Sequence, residues 1–193
     1  MNNIKPLDMK DIAIIDAFPT YNCRKTVLNV GCGEGRIDYR LALMGYRVYA
    51  TDIVENKVWG TYNFDATYIS KSKLTFHKSD IFDLSSFPIH SSPIVICSQV
   101  LEHLSGYKTA LVHLLALTEV RLIITFPHRH SFSSPDHINF WADEAIDRFR
   151  NINEFVTLCN PYSTAISKIR TKPEDVERGQ YDYLIVVDKR QNK

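Results

Sequence analysis

Val27-Leu28-Asn29-Val30-Gly31-Cys32-Gly33-Glu34-Gly35, running into Arg36-Ile37-Asp38-Tyr39-Arg40, is the stretch on which the fold turns. A short apolar run meets glycine at three alternate positions, and a helix-compatible pattern begins at once. That order predicts a buried strand, a tight turn and a helix start. Doubly wound α/β sheets hold nucleotide-like ligands with this geometry. Glycine serves the turn in two ways: it permits positive φ, and its missing Cβ lets a ligand approach the backbone.

The same loop disfavours several ligands. The dinucleotide fingerprint G-x-G-x-x-G asks for a small residue where Arg36 stands, and the phosphate loop G-x-x-x-x-G-K-[ST] is absent. Glu34 within the turn would repel a pyrophosphate. A ligand with an adenosine but no phosphate fits better, and S-adenosylmethionine is such a ligand. The plainer alternative is a turn that only links strand to helix.

Outward from the loop, strand and helix patterns alternate. Residues 36–44 form the first helix, stopped by Gly45, and Tyr46–Asp52 the second strand. Leu74–Lys78 reads as the third strand and Ile94–Cys97 as the fourth, with residues 88–93 a loop before it. A helix over residues 106–117 leads to a fifth strand, Arg121–Phe126. This alternation predicts parallel strands joined by right-handed crossovers. Residues 54–66 read as a helix anchored by Trp59, Tyr62 and Phe64, and residues 142–150 as another. Phe155–Cys159 and Tyr181–Val187 are expected to pair antiparallel at the sheet edge, with residues 167–179 exposed between them. Near the start, Leu7, Met9, Ile12, Ile14, Ile15 and Phe18 have a helical spacing that Pro19 ends. Residues 1–20 therefore supply a helix that covers an edge of the sheet or forms a lid over the ligand.

Two acids stand where such a sheet binds ligands. Asp52 ends the second strand, 17 residues after Gly35, and either accepts ribose hydroxyls or caps a following helix. Asp80 follows the third strand and either accepts from an adenine amine, with Ile81 over the ring, or serves a turn.

Composition narrows the classes. The chain has 193 residues, 45% of them hydrophobic, enough for one globular domain with a real core. With 23 basic and 22 acidic residues the net charge is +1, so no long-range field gathers nucleic acid. Cys23, Cys32, Cys97 and Cys159 lack C-x-x-C spacing and read as reduced thiols of a reducing compartment. There is neither a secretory leader pattern nor an apolar stretch long enough to cross a bilayer. A cytoplasmic domain without membrane contact is expected.

In this order the features resemble the class I S-adenosylmethionine-dependent methyltransferases, and the small-molecule and quinone-type branch is most similar. Val27–Gly35 looks like that family's first motif, Asp52 its ribose acid and Asp80-Ile81 its adenine pair. Gln99-Val100-Leu101-Glu102-His103-Leu104 resembles its fourth-strand segment, and His137-Ile138-Asn139-Phe140-Trp141-Ala142-Asp143-Glu144 the region after strand five. The resemblance implies a single domain over residues 1–193 with a Rossmann-like, seven-stranded, mostly parallel sheet. Helices would lie on both faces, and an antiparallel hairpin at the edge. It implies S-adenosylmethionine as cofactor, held by Asn29, Gly31, Cys32, Gly33, Gly35, Asp52, Ile53, Asp80, Ile81, Ser98 and Gln99. Two departures stand out. Asn29 replaces a customary acid and brings no charge, and Leu117-Thr118-Glu119-Val120 replaces a glycine-rich turn before strand five.

Methyl transfer from a sulfonium needs a positioned acceptor and, where the acceptor carries a proton, a base. Glu102, His103, His128, His130 and His137 are the titratable groups near the ends of strands four and five. His137, His103 and Glu102 are the expected catalytic residues. The polar loop 127–141, with Phe132, Phe140 and Trp141, would wall the acceptor. The expected reaction is transfer to an O or N atom of a small-molecule acceptor. Alternatives are RNA, as at a 3′-terminal ribose, another macromolecule, or an inactive cofactor-binding module. Methyltransferases of small-RNA 3′ ends hold a metal with Glu-x-x-Glu-His and a later His. Gln99 stands here in place of the first Glu, so no metal is expected.

Overall fold

A computed structural model of the chain describes residues 6–20, 24–55, 73–84, 87–128, 136–139, 146–152, 162–169 and 181–189. Seven strands form one sheet in the order β3-β2-β1-β4-β5-β7-β6. They are β1 (Thr26–Val30), β2 (Arg47–Asp52), β3 (Leu74–Lys78), β4 (Ser92–Ser98), β5 (Thr118–Pro127), β6 (Tyr162–Ile169) and β7 (Asp182–Lys189). β1 to β5 run parallel, while β7 pairs antiparallel with both β5 and β6. The mostly parallel sheet with an antiparallel edge pair is therefore present.

Side chains alternate between two cores, as the pleat requires. Val27, Val48, Ala50, Ile94, Ile96 and Ile123 face one core with Ile14 of α1 (Met9–Asp16) and Ile37, Leu41 and Ala42 of α2 (Arg36–Leu43). Leu28, Val30, Val95, Cys97, Leu122 and Ile124 face the other, against Ala110, Leu111, Leu114 and Leu115 of α3 (Tyr107–Leu117). Phe149 of the short 3-10 helix Arg148–Asn151 joins that second core, with Ile146 and Ile152 beside it. Burial on both faces explains why the central strands read as continuous apolar runs. Helices do lie on both faces.

Three boundaries move from those expected. β4 begins at Ser92, and β5 at Thr118 directly after α3, because Ser92 pairs with Thr118 across an irregularity in the ladder. The penultimate strand is Tyr162–Ile169, overlapping residues expected to be exposed linker. Only its pairing with β7 gives this polar edge strand its shape. The strand expected at Phe155–Cys159, all but the first two residues of the helix expected over residues 54–66, and the start of the helix at residue 142 lie outside the described residues; residues 54 and 55 are not helical.

α1 is the helix foreseen within residues 1–20. A reciprocal capping box opens it, Asp11 N donating to Asp8 at 2.9 Å and Asp8 N donating to Asp11 at 3.1 Å. Arg36, at the start of α2, ties that cap down with ion pairs of 2.7 Å to Asp8 and 2.8 Å to Asp11. No described helix is long and apolar enough to cross a membrane.

Leu111 is fully buried between α3 and the sheet. Leu111→Ala is expected to lower stability by roughly 2–5 kcal/mol in urea denaturation, since the rigid strands beneath it cannot collapse into the space.

Candidate active site

β1 lies between β2 and β4 and is parallel to both. The chain leaves β1 into α2 on one face and β4 into α3 on the other, which opens a crevice beyond the carboxyl ends of β1 and β4. The glycine loop turns across this crevice. Gly31 N and Cys32 N donate to the Thr51 carbonyl at 2.8 and 3.0 Å, pinning the loop to β2. Gly31, Gly33 and Gly35 have φ of +75°, +54° and +72°, where only glycine sits without strain. A Cβ on Gly31 would come within 2.1 Å of Val100, whereas one on Gly33 would meet nothing within 4 Å. Bare backbone thus faces open space at Gly33.

That space is a cleft of about 640 Å³. Asn29, Gly31, Cys32 and Gly33 form one side, Asp52 and Ile53 another, and Ser98, Gln99 and His103 the end after β4. Lys10, Asp11 and Ile14 of α1 reach over it. A smaller cavity of about 130 Å³ adjoins, sharing Gly31, Asp52 and Ile53 and adding Asp80 and Ile81. All but one of the residues expected at the cofactor line one of these two spaces. Gly35 instead starts α2 in a left-handed conformation.

Asp52 organises the loop it faces. One carboxylate oxygen accepts from Gly33 N at 2.9 Å and the other from Val54 N at 3.2 Å. Each oxygen keeps a second lone pair for a ligand hydroxyl. Asp80 accepts from Phe82 N at 2.9 Å, so its turn role is real, and it still lines the smaller cavity. Asn29 faces a carboxylate. Its amide nitrogen donates to both oxygens of Asp38, each at 3.0 Å. Burial pushes the Asp38 carboxyl up to about 7, against the opposing hydrogen bond from Asn29.

The expected catalytic residues meet at the far end. A 3-10 turn, Leu101–His103, follows β4, with Leu104 N donating back to Leu101 O at 3.2 Å. Asn139 holds the end of this turn further, its side-chain nitrogen donating to Leu101 O at 3.0 Å and Leu104 O at 2.6 Å. Ile138 N and Asn139 N both donate to Glu102 O at 3.0 Å. This clasp carries His137 onto the turn, where its ring packs edge-on against His103 with centroids 4.7 Å apart. Donor atoms of Glu102, His103 and His137 all lie within 4.8 Å of one another.

Their environments differ. Glu102 is fully buried, its carboxyl oxygens have no hydrogen-bond partner among the described residues, and burial pushes it up to about 7. His137 is buried too, and desolvation followed by repulsion from His103 lowers its pKa. His103 is half-exposed and lines the cleft. Its Nδ1 lies 3.1 Å from the Asp136 carbonyl, an acceptor only, so Nδ1 carries the proton and Nε2 is the open position. His128 packs instead against Tyr181, ring centroids 4.4 Å apart. His130, Phe132, Phe140 and Trp141 lie outside the described residues.

Sequence reasoning missed Asp38, Asn139 and the Gln99 conformation. Asp38 had a faint signal, because it shares the inward face of α2 with Ile37, Leu41 and Ala42. Gln99 adopts φ +57° and donates to Asp182 at 3.3 Å, which turns its side chain toward β7.

Residues 28–118 match the family described as methyltransferase domain. The ubiquinone biosynthesis O-methyltransferase of Rickettsia akari is 30% identical over 119 residues, 60% of this chain and 45% of that protein. The chain thus spans less than half the length of the curated relatives it matches. Among solved structures, magnesium protoporphyrin IX methyltransferase from Synechocystis, with SAH bound, gives a TM-score of 0.63 at 22% identity, over 85% of this chain and 74% of that one. A 1,6-didemethyltoxoflavin-N1-methyltransferase from Burkholderia thailandensis gives 0.62 at 18% identity, over 86% and 71%. These likenesses establish the fold.

The raised Asp38 carboxyl makes stability depend on pH. Between the ordinary 3.8 and about 7 the folded protein holds a proton that the unfolded chain has released. This contribution therefore declines as pH rises through that window and is level above it. Asp38→Asn removes it. Its melting temperature relative to wild type is expected to rise between about pH 4 and pH 7, then stay constant.

Proposed function

We propose that this chain, whose sheet and glycine loop are those of the class I S-adenosylmethionine-dependent methyltransferases, transfers a methyl group to an oxygen or nitrogen of a small-molecule acceptor. The observation that carries this reading is the pairing of Gly33 with Asp52. Bare backbone opens onto the cleft beside a carboxylate with lone pairs to spare, in a loop that offers no phosphate-binding lysine. Those residues fit an adenosine with a thioether-linked amino acid. Asp52 would hold the ribose hydroxyls, Asp80 and Ile81 the adenine, and the loop backbone the amino-acid end. Acceptors named for the similar proteins are small molecules, which supports that acceptor class.

When bound, the sulfonium supplies the electrophilic methyl and its own leaving group. The protein then has to aim the acceptor and take its proton. His103 suits the second task, with Nε2 open while Asp136 fixes Nδ1–H. Glu102 Oε1 stands 4.0 Å behind Nε2, where its charge would favour the imidazolium that forms. His137, kept neutral by burial, braces the His103 ring. The acceptor would enter past α1 and the region 127–141.

A second reading rests on the same cluster. A carboxylate and two imidazoles with donor atoms this close are a plausible divalent-metal set. Gln99 does not complete it, being turned toward Asp182.

Two measurements test the proposal. In calorimetry, S-adenosylmethionine and S-adenosylhomocysteine are expected to bind while NAD does not, and Asp52→Ala should weaken both by roughly tenfold or more. NAD binding in their place would reject the cofactor. With phenolic and N-heterocyclic acceptors screened against labelled cofactor, His103→Gln is expected to lower turnover roughly 10²- to 10⁴-fold. Its S-adenosylhomocysteine affinity should remain. Loss of turnover on chelation, restored by a divalent cation, would favour the metal reading, and cofactor binding with no turnover would favour an inactive module.

A further inference from the structure

The chain leaves β4 through a strained residue that is tied at two points and open at a third. Gln99 has φ +57° and, among the described residues, is the only one with a side chain to take a positive φ. That conformation costs free energy for a residue with a Cβ, and such strain persists only where surrounding contacts over-determine it. Here they do. Gln99 N donates to the Thr125 carbonyl of β5 at 3.1 Å, and its Nε2 donates to Asp182 of β7 at 3.3 Å. Asp182 is buried, and its carboxylate only accepts, so it fixes which way round the Gln99 amide stands. What remains is the Gln99 carbonyl oxygen, Oε1. It accepts no hydrogen bond from the described residues and is not buried, and its side chain lines the cleft with His103.

Position in the sheet says which ligand that oxygen addresses. In the order β3-β2-β1-β4-β5-β7-β6, the glycine loop, Asp52 and Asp80 stand at the ends of β1, β2 and β3. Gln99 follows β4 and reaches past β5 to β7, away from all three. Asp182 also bears on buried Glu102, whose ionisation it opposes, so the Gln99–Asp182 pair stands near the Glu102–His103–His137 cluster. We propose that Gln99 is a specificity-determining residue on the acceptor side of the cleft. Its fixed Oε1 accepts a hydrogen bond from a neutral O–H or N–H that the acceptor carries beside the atom to be methylated, and Asp182 is the positioning residue behind it. The inference rests on the methyl transfer proposed above. An acceptor with an ether oxygen at that place would set lone pair against lone pair, and an anionic group would meet the Asp182 charge as well.

The test uses the full chain, labelled S-adenosylmethionine and matched phenols: ortho- and meta-hydroxybenzyl alcohol, which donate beside the phenol, and their benzylic methyl ethers, which only accept there. Wild type is expected to turn over at least one alcohol with a kcat/KM roughly tenfold or more above that of its ether. Gln99→Leu should shrink that ratio to about threefold or less and leave S-adenosylhomocysteine affinity, read by calorimetry, unchanged. Asp182→Asn keeps Gln99 but frees its amide to turn, and is expected to lower the ratio in the same direction. Equal kcat/KM for alcohol and ether in wild type would overturn the inference, as would an undiminished ratio in Gln99→Leu. Loss of S-adenosylhomocysteine binding by a folded Gln99→Leu protein would assign the residue to the cofactor and overturn it too. Should Gln99→Leu fail to fold, Asp182→Asn decides, and an undiminished ratio there rejects the inference. No methylation of any of these phenols by a chain that binds S-adenosylhomocysteine would also reject it, whereas failure to bind S-adenosylhomocysteine would remove the methyl-transfer reading itself.

Discussion

Everything at the candidate site follows from the place of β1 in the hydrogen-bonded sheet. β1 leads into α2 on one face of the sheet while its parallel neighbour β4 leads into α3 on the other, so the two crossovers depart in opposite directions. The resulting crevice cannot be filled by the next strand, and the chain closes it only with backbone. Hence the left-handed glycines, and hence two N–H groups of the loop held by the Thr51 carbonyl of the adjacent strand. Val100 sits against Gly31 so tightly that a Cβ would collide with it, which locks the loop to the chain leaving β4. Loop, β2 end and β4 end are therefore one rigid unit, a sound basis for holding a ligand at fixed distance from the groups that act on it.

The second constraint is electrostatic. Asp11, Glu34 and Asp52 line the cleft beside Lys10 and Arg36, Arg36 is engaged by Asp8 and Asp11, and Asp38 and Glu102 are buried. Burial makes two of these acids reluctant to ionise. Glu34 and Asp52, at the loop and the end of β2, disfavour a phosphate, whereas S-adenosylmethionine carries two positive centres, the sulfonium and the ammonium.

At the other end, one asparagine does structural work that brings the chemistry together. Asn139 donates to two carbonyls at the end of the 3-10 turn, so the segment after β5 folds back on the segment after β4. His137 reaches Glu102 and His103 for that reason, 34 residues along the chain from the latter.

The strand, loop and helix at residues 27–43 were legible because their determinants are local: an apolar run, positive-φ glycines and an inward helical face. Asp52, Asp80 and the His103 segment were legible for a related reason, since parallel strands place their carboxyl ends, and whatever follows them, on one side of the sheet. β6 was not legible. Its half-buried, polar sequence becomes a strand only when β7 offers it a ladder. Neither were the contacts between Asn29 and Asp38, or between Asn139 and the turn, since an amide in sequence does not reveal which distant polar group it will satisfy. The chain alone thus determined the order of elements and the side of the sheet on which a ligand would lie, because periodicity and glycine placement act over a few residues. Tertiary structure decided which buried polar atoms meet and which stay unpaired, because that depends on packing between segments that sequence spacing does not bring together.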